Sequence, residues 1–246
     1  MVFSRQNPHT LVTDLDNTLF IPDTEELPDG IFPRLNLWKQ TGHRWIINTG
    51  RPIFRMEEFL AEWPVWPDYF VARERYIFQC VKKTTFAFGE WNRFMEERTR
   101  QVEQPPHFWF ESWCEKENLK AEFENHDAIF DRVESARKAE EYLSELMTNG
   151  EEPIRNRVYL GVVPSEVGKG RCLKRIFQAR SWSSGGAWVV GDSANDRDML
   201  SSEYNFRSFA VENAEPDIKQ FVRESGGTVL DEPGGRAIVK LLDWLL

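Results

Sequence analysis

The sequence predicts an α/β protein: a parallel sheet with helices on both faces, interrupted by an inserted α+β unit. Three observations carry that reading. Short apolar runs alternate with helical patterns in the first third of the chain, the same rhythm returns from Lys169 onward, and the stretch between has a different texture. Strands separated by helices must run parallel, and a parallel sheet hides both faces.

In chain order, the first strand is expected near Thr10 to Thr13 and a helix near Ile31 to Thr41, stopped by Gly42. A second strand covers Arg44 to Asn48, a helix runs from Pro52 to Trp63, and a third strand covers Tyr69 to Ala72. Pro52 at a first helical turn and Gly42 just past a helix end match the usual asymmetry of helix termini. The later half offers a helix from Lys169 to Ala179, a strand at "AWVV" (Ala187 to Val190) and a helix near Asp196 to Ser201. Then come a strand at "RSFAV" (Arg207 to Val211) and helices over Pro216 to Ser225 and Ala237 to Leu246. Between these halves lie "HFWFESW" (His107 to Trp113), "ESARKAEEYLSELMTNG" (Glu134 to Gly150) and the alternating "RVYLGVV" (Arg157 to Val163). The aromatics of "HFWFESW" recur at a strand's period of two and are expected to face the core of a small sheet. The run "RKAEEYLSE" reads as a solvated helix face. The inserted unit is placed at residues 81–164, between core segments 1–80 and 165–246.

Composition narrows the class. The chain has 246 residues, 41% hydrophobic, with a net charge of −9 spread along its length. No basic face is available for a phosphate backbone, which argues against nucleic acid. Three cysteines, Cys80, Cys114 and Cys172, form no CxxC pair, so neither a disulfide framework nor a structural zinc site is expected. No window approaches a membrane span and "MVFSRQNPHT" lacks the pattern of a secretion signal, so the expectation is a cytoplasmic protein without a membrane or obligate protein partner.

In open parallel sheets, ligands bind beyond the carboxyl ends of the strands. Polar clusters stand at those places: "DLDNT" (Asp14 to Thr18), "NTGR" (Asn48 to Arg51) and "GDSANDRDM" (Gly191 to Met199), while "VGKG" (Val167 to Gly170) opens a helix. Four such motifs in this order, with an insertion between the second and third, resemble the haloacid dehalogenase (HAD) superfamily. They are most similar to its sucrose-phosphate phosphatase and Cof-like branch. The later "VENAEP" (Val211 to Pro216) resembles the stretch that follows the fourth motif there. The resemblance implies a Rossmann-like core with a large α+β cap of the C2 type.

The chemistry is legible in the residues themselves. Magnesium prefers a few carboxylates with waters and substrate phosphate oxygens. Asp14, Asp16 and Asp192 at neighbouring strand ends would supply that cage, and a double positive charge would offset their repulsion. The resemblance implies that Asp16 serves the metal through its backbone carbonyl. A carboxylate beside such a metal can attack phosphorus and form an aspartyl-phosphate, a role that falls to Asp14. Asp16 would protonate the leaving oxygen and then activate water. The resemblance supports both roles, because the dehalogenase branch lacks an acid at the second position. Thr49 and Gly50 offer a hydroxyl and an N–H to phosphate at a helix start. Lys169 offers positive charge to the transferring oxygens. Following the family pattern, Asn195 and Asp196 hold the metal's waters and orient Lys169.

Alternatives stand beside these readings. Asp14, Asp16 and Asp192 can also cap helices or shape turns, and Thr49 with Gly50 can cap a helix. Arg51 reads as a structural salt-bridge partner, while His107 or His126 could reach a substrate from the cap. Two departures from the family stand out: "FVARERYIF" (Phe70 to Phe78) carries Arg73, Glu74 and Arg75 where relatives have small residues, and Gly161 replaces an acid. The expected activity is Mg²⁺-dependent hydrolysis of a small phosphorylated metabolite, a sugar phosphate above all. A phosphomutase or phosphotransferase of the same superfamily, or a silent phospho-ligand binder, are the rivals.

Overall fold

A computed structural model of the chain describes residues 8–102, 107–124, 127–147 and 150–246, with no side-chain description for residues 107–109 and 124. It divides into two compact units. The first holds the residues up to Asn92 together with Gly168–Asp192 and Asp196–Leu246; the second holds Arg93–Val167 with Ser193–Asn195.

In the first unit, β1 (Thr10–Thr13), α1 (Ile31–Gln40), β2 (Arg44–Asn48), α2 (Ile53–Glu62) and β3 (Tyr69–Ala72) follow the expected alternation. A hairpin of β4 (Tyr76–Val81) and β5 (Thr84–Ala87) comes next. In the second unit the chain forms α3 (Gly89–Gln101, which starts in the first unit), α4 (His107–Lys116), β6 (Ala121–Glu124), β7 (Asp127–Phe130) and α5 (Val133–Leu146). The strands β8 (Glu151–Asn156) and β9 (Tyr159–Pro164) complete it. Back in the first unit come α6 (Lys169–Arg180), β10 (Ala187–Gly191), α7 (Arg197–Leu200), β11 (Arg207–Ala210), α8 (Pro216–Glu224), β12 (Thr228–Val229) and α9 (Gly234–Leu245).

The first unit is built on one sheet in the order β12-β11-β10-β1-β2-β3-β4-β5, parallel from β12 to β3 and antiparallel in the last hairpin. Strand β1 lies in its middle, with Thr13 opposite Val190 of β10 and Ile47 of β2. All four residues of β1 and all five of β10 are buried, as both faces of a covered parallel sheet require. The core joins Leu11, Val12, Ile46, Ile47, Val189 and Val190 of the strands to Leu35 and Trp38 of α1 and Ile238 and Leu242 of α9.

The second unit has its own sheet, antiparallel in the order β6-β7-β9-β8, and its own core of Phe110, Cys114, Ala128, Phe130, Ala136, Ala139, Leu143 and Leu160. Ala136, Ala139 and Leu143 fall on one stripe of α5. That pattern makes the unit α+β.

Two expectations are corrected here. "HFWFESW" is helix, not strand: Phe110 and Cys114 are both buried and Trp113 packs beside them, the i, i+3, i+4 spacing of a helix face. The rings at period two imitated a strand because the sequence also places aromatics three and four apart. The boundary expected near Cys80 falls inside the β4–β5 hairpin, which extends the first unit's sheet, and the observed division lies between Asn92 and Arg93. His126 lies outside the described residues, as does the side chain of His107. Cys80, Cys114 and Cys172 are free thiols, and among the described residues no helix is long and apolar enough to cross a membrane.

Candidate active site

Because β10, β1 and β2 are parallel neighbours, their carboxyl ends open side by side. Asp14 follows β1 directly and continues its ladder, donating its N–H to the Val190 carbonyl at 3.0 Å. Asp192 follows β10, and Thr49 follows β2 with its N–H on the Val71 carbonyl of β3, also at 3.0 Å. Asp14, Thr49 and Asp192 are buried.

Three carboxylates meet there. Oxygens of Asp14, Asp192 and Asp196 lie within 4.8 Å of one another, all three residues buried. Lys169, itself fully buried, stands among them with Nζ 2.7 Å from Asp14 Oδ1 and 2.6 Å from Asp196 Oδ1. Thr18 Oγ1 donates to Asp192 Oδ1 at 3.1 Å, and the Asp192 N–H donates to Asp196 Oδ2 at 2.8 Å. Asp196 thus has one oxygen on Lys169 and the other on the backbone beside Asp192, the posture of an orienting group. The glycine of "GDSAND" follows from the same contact, since the Asp196 carboxyl occupies the place a Cβ on Gly191 would take.

Charge is unbalanced in this pocket. Burial pushes the Asp14 carboxyl well above the usual carboxylate range; Lys169 pulls it down, and Asp196, Asp192 and Asp16 push it up again. Burial works against the Lys169 ammonium, yet Asp14, Asp196 and Glu74 hold it above the ordinary lysine value. Three carboxyls share one ammonium, and a divalent cation is the species that would balance them. The donor set is all oxygen, which suits a hard cation such as Mg²⁺.

The remaining expected residues are distributed as follows. The Asp16 side chain is not among the three clustered carboxylates and is held by Arg51, whose Nε lies 2.8 and 3.1 Å from its two oxygens. Thr49 Oγ1 accepts the Arg51 N–H at 3.1 Å, so motif two is folded onto itself ahead of α2, and Gly50 is exposed. Asn195 is grouped with the second unit, where its Oδ1 accepts from Ser193 Oγ. Sequence reasoning recognised Arg51 as an ion-pair partner but not that Asp16 is what it holds. It also passed over Asn48, Thr18 and Asp198, whose contacts depend on strand order. Only Thr18, fixed two residues after Asp16, offered a signal.

A family model described as haloacid dehalogenase-like hydrolase matches residues 68–231, more than half of the chain. The chain belongs to the haloacid dehalogenase-like hydrolase family. No curated protein matches. Among solved structures, the sucrose-phosphatase from Synechocystis sp. PCC6803, determined in complex with sucrose and phosphate, is 18% identical with a TM-score of 0.66, over 96% of this chain and 97% of that one. A phosphatase of the haloalkanoate enzyme superfamily from Bacteroides thetaiotaomicron is 15% identical with a TM-score of 0.67, over 100% of this chain and 96% of that one. A haloacid dehalogenase-like hydrolase from Bacillus subtilis is 15% identical with a TM-score of 0.58, over 98% and 93%. At these identities the likeness is one of fold. The family match begins after Asp14 and Thr49, which are placed beside the matched segment by the sheet order β10-β1-β2-β3.

Proposed function

We propose that this HAD-family hydrolase is a Mg²⁺-dependent phosphatase acting on a small phosphorylated metabolite, with sugar phosphates as the substrate class. The observation that carries the reading is the meeting of Asp14, Asp192 and Asp196 within 4.8 Å around the ammonium of Lys169. Residue choice supports phosphoryl transfer, because Asp16 supplies a second acid two residues from Asp14. The substrate class draws support from the fold shared with a phosphatase solved with sucrose.

Asp14 and Asp192 would hold the cation, with the Asp16 carbonyl as the family pattern implies and Asp196 orienting from behind. When bound, Mg²⁺ neutralises the charge of the phosphate and of the clustered acids. An Asp14 oxygen attacks phosphorus, the bond from phosphorus to the alcohol oxygen breaks, and Asp16 gives that oxygen its proton. Asp16 then takes a proton from water as the water oxygen attacks phosphorus, which frees Asp14 and inorganic phosphate. Lys169 keeps positive charge beside the transferring oxygens. Thr49 and Gly50, at the start of α2, bind phosphate. The residues given these roles all belong to the first unit.

The test is a screen of phosphorylated metabolites with Mg²⁺ and with EDTA, reading inorganic phosphate. Release from at least one sugar phosphate, abolished by EDTA and by Asp14→Asn, is expected. No release from any ester, or release indifferent to chelation, would overturn the proposal; interconversion of phosphosugars without release would assign a mutase instead.

A further inference from the structure

Lys169 pairs with two members of the carboxylate triad, Asp14 and Asp196, and its side chain is placed by a helix that begins at Lys169 itself. Helix starts carry N–H groups without partners inside the helix. A cap residue would ordinarily satisfy them, but the cap position here is Gly168, which has no side chain. The partner comes from elsewhere. Asp198, on α7, accepts the N–H of Gly170 at 2.7 Å and that of Arg171 at 3.3 Å on the same oxygen, Oδ2.

Two further bonds fix the other side of the lysine. Asn48, fully buried at the end of β2, donates Nδ2 to the Lys169 carbonyl at 2.9 Å, and the Gly168 N–H reaches the Glu74 carbonyl at 3.1 Å. Gly168 sits at φ 149°, and a Cβ there would lie 2.5 Å from Asp198 Oδ2, so the residue before the lysine is glycine because the carboxylate is seated so close. The other oxygens of this pair, Asp198 Oδ1 and Asn48 Oδ1, are buried and have no hydrogen-bond partner among the described residues. A buried carboxyl kept for two bonds to one helix start, with its second oxygen unsatisfied, is costly unless that start must be held in place.

We propose that Asp198 is a positioning residue for Lys169: it caps α6 from α7 and, with Asn48 gripping the Lys169 carbonyl, sets the ammonium between Asp14 and Asp196. This rests on the reading that Lys169 serves phosphoryl transfer. A shift of about 1 Å in such a group costs on the order of 100-fold in rate, so the consequence is kinetic as well as structural.

The experiment compares the full chain with Asp198→Ala, Asp198→Asn and, as a stability control, Ile218→Ala in the core under α8. Steady-state hydrolysis of p-nitrophenyl phosphate with Mg²⁺, thermal midpoints and amide hydrogen exchange are measured on each. Asp198→Ala is expected to lower kcat by roughly 30-fold or more with KM within about threefold, whereas Asp198→Asn, which keeps an acceptor oxygen, recovers most of the rate. Ile218→Ala is expected to lose thermal midpoint at little cost in kcat. Asp198→Ala with kcat within about threefold of the parent would overturn the proposal. So would an equal loss of kcat in Ile218→Ala at matched thermal midpoint. If the parent turns over no ester at all, the phosphatase reading fails by itself, and hydrogen exchange decides the grip. Faster exchange at Gly170 and Arg171 in Asp198→Ala than in Ile218→Ala upholds it, and unchanged exchange overturns it.

Discussion

Arg51 holds Asp16 by both carboxylate oxygens while its Nη1 reaches Glu25, a residue that Arg55 grips in turn. The guanidinium lies over the rings of Phe59 and Phe20, and the Asp16 bonds and those of Glu25 raise its affinity for its proton further. A planar, bidentate clamp fixes where a carboxylate points in a way that a lysine cannot. The proposed acid and base of the reaction is therefore aimed by motif two.

Loss of that clamp is expected to be felt most where the leaving group needs a proton. Arg51→Ala should lower kcat/KM for an alkyl phosphate by roughly 30-fold, a fraction of the 10²–10⁴-fold that general acid catalysis supplies. For p-nitrophenyl phosphate, whose leaving group departs unprotonated, the loss should be several-fold less. Equal losses on both esters would show that Arg51 does not act through Asp16.

Thr18 presents a second case. Its hydroxyl is buried and donates to Asp192 Oδ1. Thr18→Val keeps the shape and removes the donor, leaving a buried carboxylate oxygen short of a bond at about 1–3 kcal/mol. Urea unfolding should show a loss of that size, and a Mg²⁺ titration of activity should shift to higher concentration. An unchanged midpoint in both would contradict the role given to this bond.

Metal should also stabilise the fold. Three buried acids around one ammonium repel, and a cation that binds the native chain alone adds about 2.7 kcal/mol at 100 times its Kd. For a chain of this size that is roughly 5–10 °C in thermal midpoint. Calorimetry with Mg²⁺ and with EDTA should show the difference in the parent and a much smaller one in Asp192→Asn. A midpoint that ignores Mg²⁺ in the parent would argue against a metal site.

Asp198 makes stability depend on pH. Burial pushes its carboxyl up to about 7 from an ordinary 3.8, against the opposing pull of the Gly170 and Arg171 N–H groups. Between those values the native chain keeps a proton that the unfolded chain has released. The carboxyl's contribution is thus fully present below about 3.8 and lost as pH rises through about 7. Three pH units set a ceiling of about 4 kcal/mol. Urea unfolding in EDTA from pH 4.5 to 8 should show Asp198→Asn gaining on the parent as pH rises. Parallel curves for the two proteins would refute this.

Much of the first unit was legible because its signals are local. Leu11 and Val12, or Val189 and Val190, are continuous apolar runs that end in a carboxylate, and both faces of a covered parallel strand demand such runs. Motif order placed Asp14, Lys169 and Asp192 together, since parallel neighbours must open at one edge. Phe110 and Trp113 pointed to a strand because two periods coexist in one short aromatic segment. Strand β4 hid behind Arg73 and Glu74, both at positive φ (48° and 58°) in the turn between β3 and β4, where Gly or Asn is usual. That turn is stitched to motif two by the Arg73 and Glu74 N–H groups, which donate to the Arg51 and Thr49 carbonyls. Asp198 could not be read at all, because a cap delivered from 28 residues away leaves no spacing in the sequence.

The most direct test of the central claim is acid-quenched mass spectrometry of the protein taken during turnover with Mg²⁺ and a sugar phosphate that it hydrolyses. One phosphoryl group on the peptide that carries Asp14 is predicted, absent in Asp14→Asn and absent with EDTA. Turnover with no phosphoryl group on that peptide, or with the group on another residue, would contradict the account.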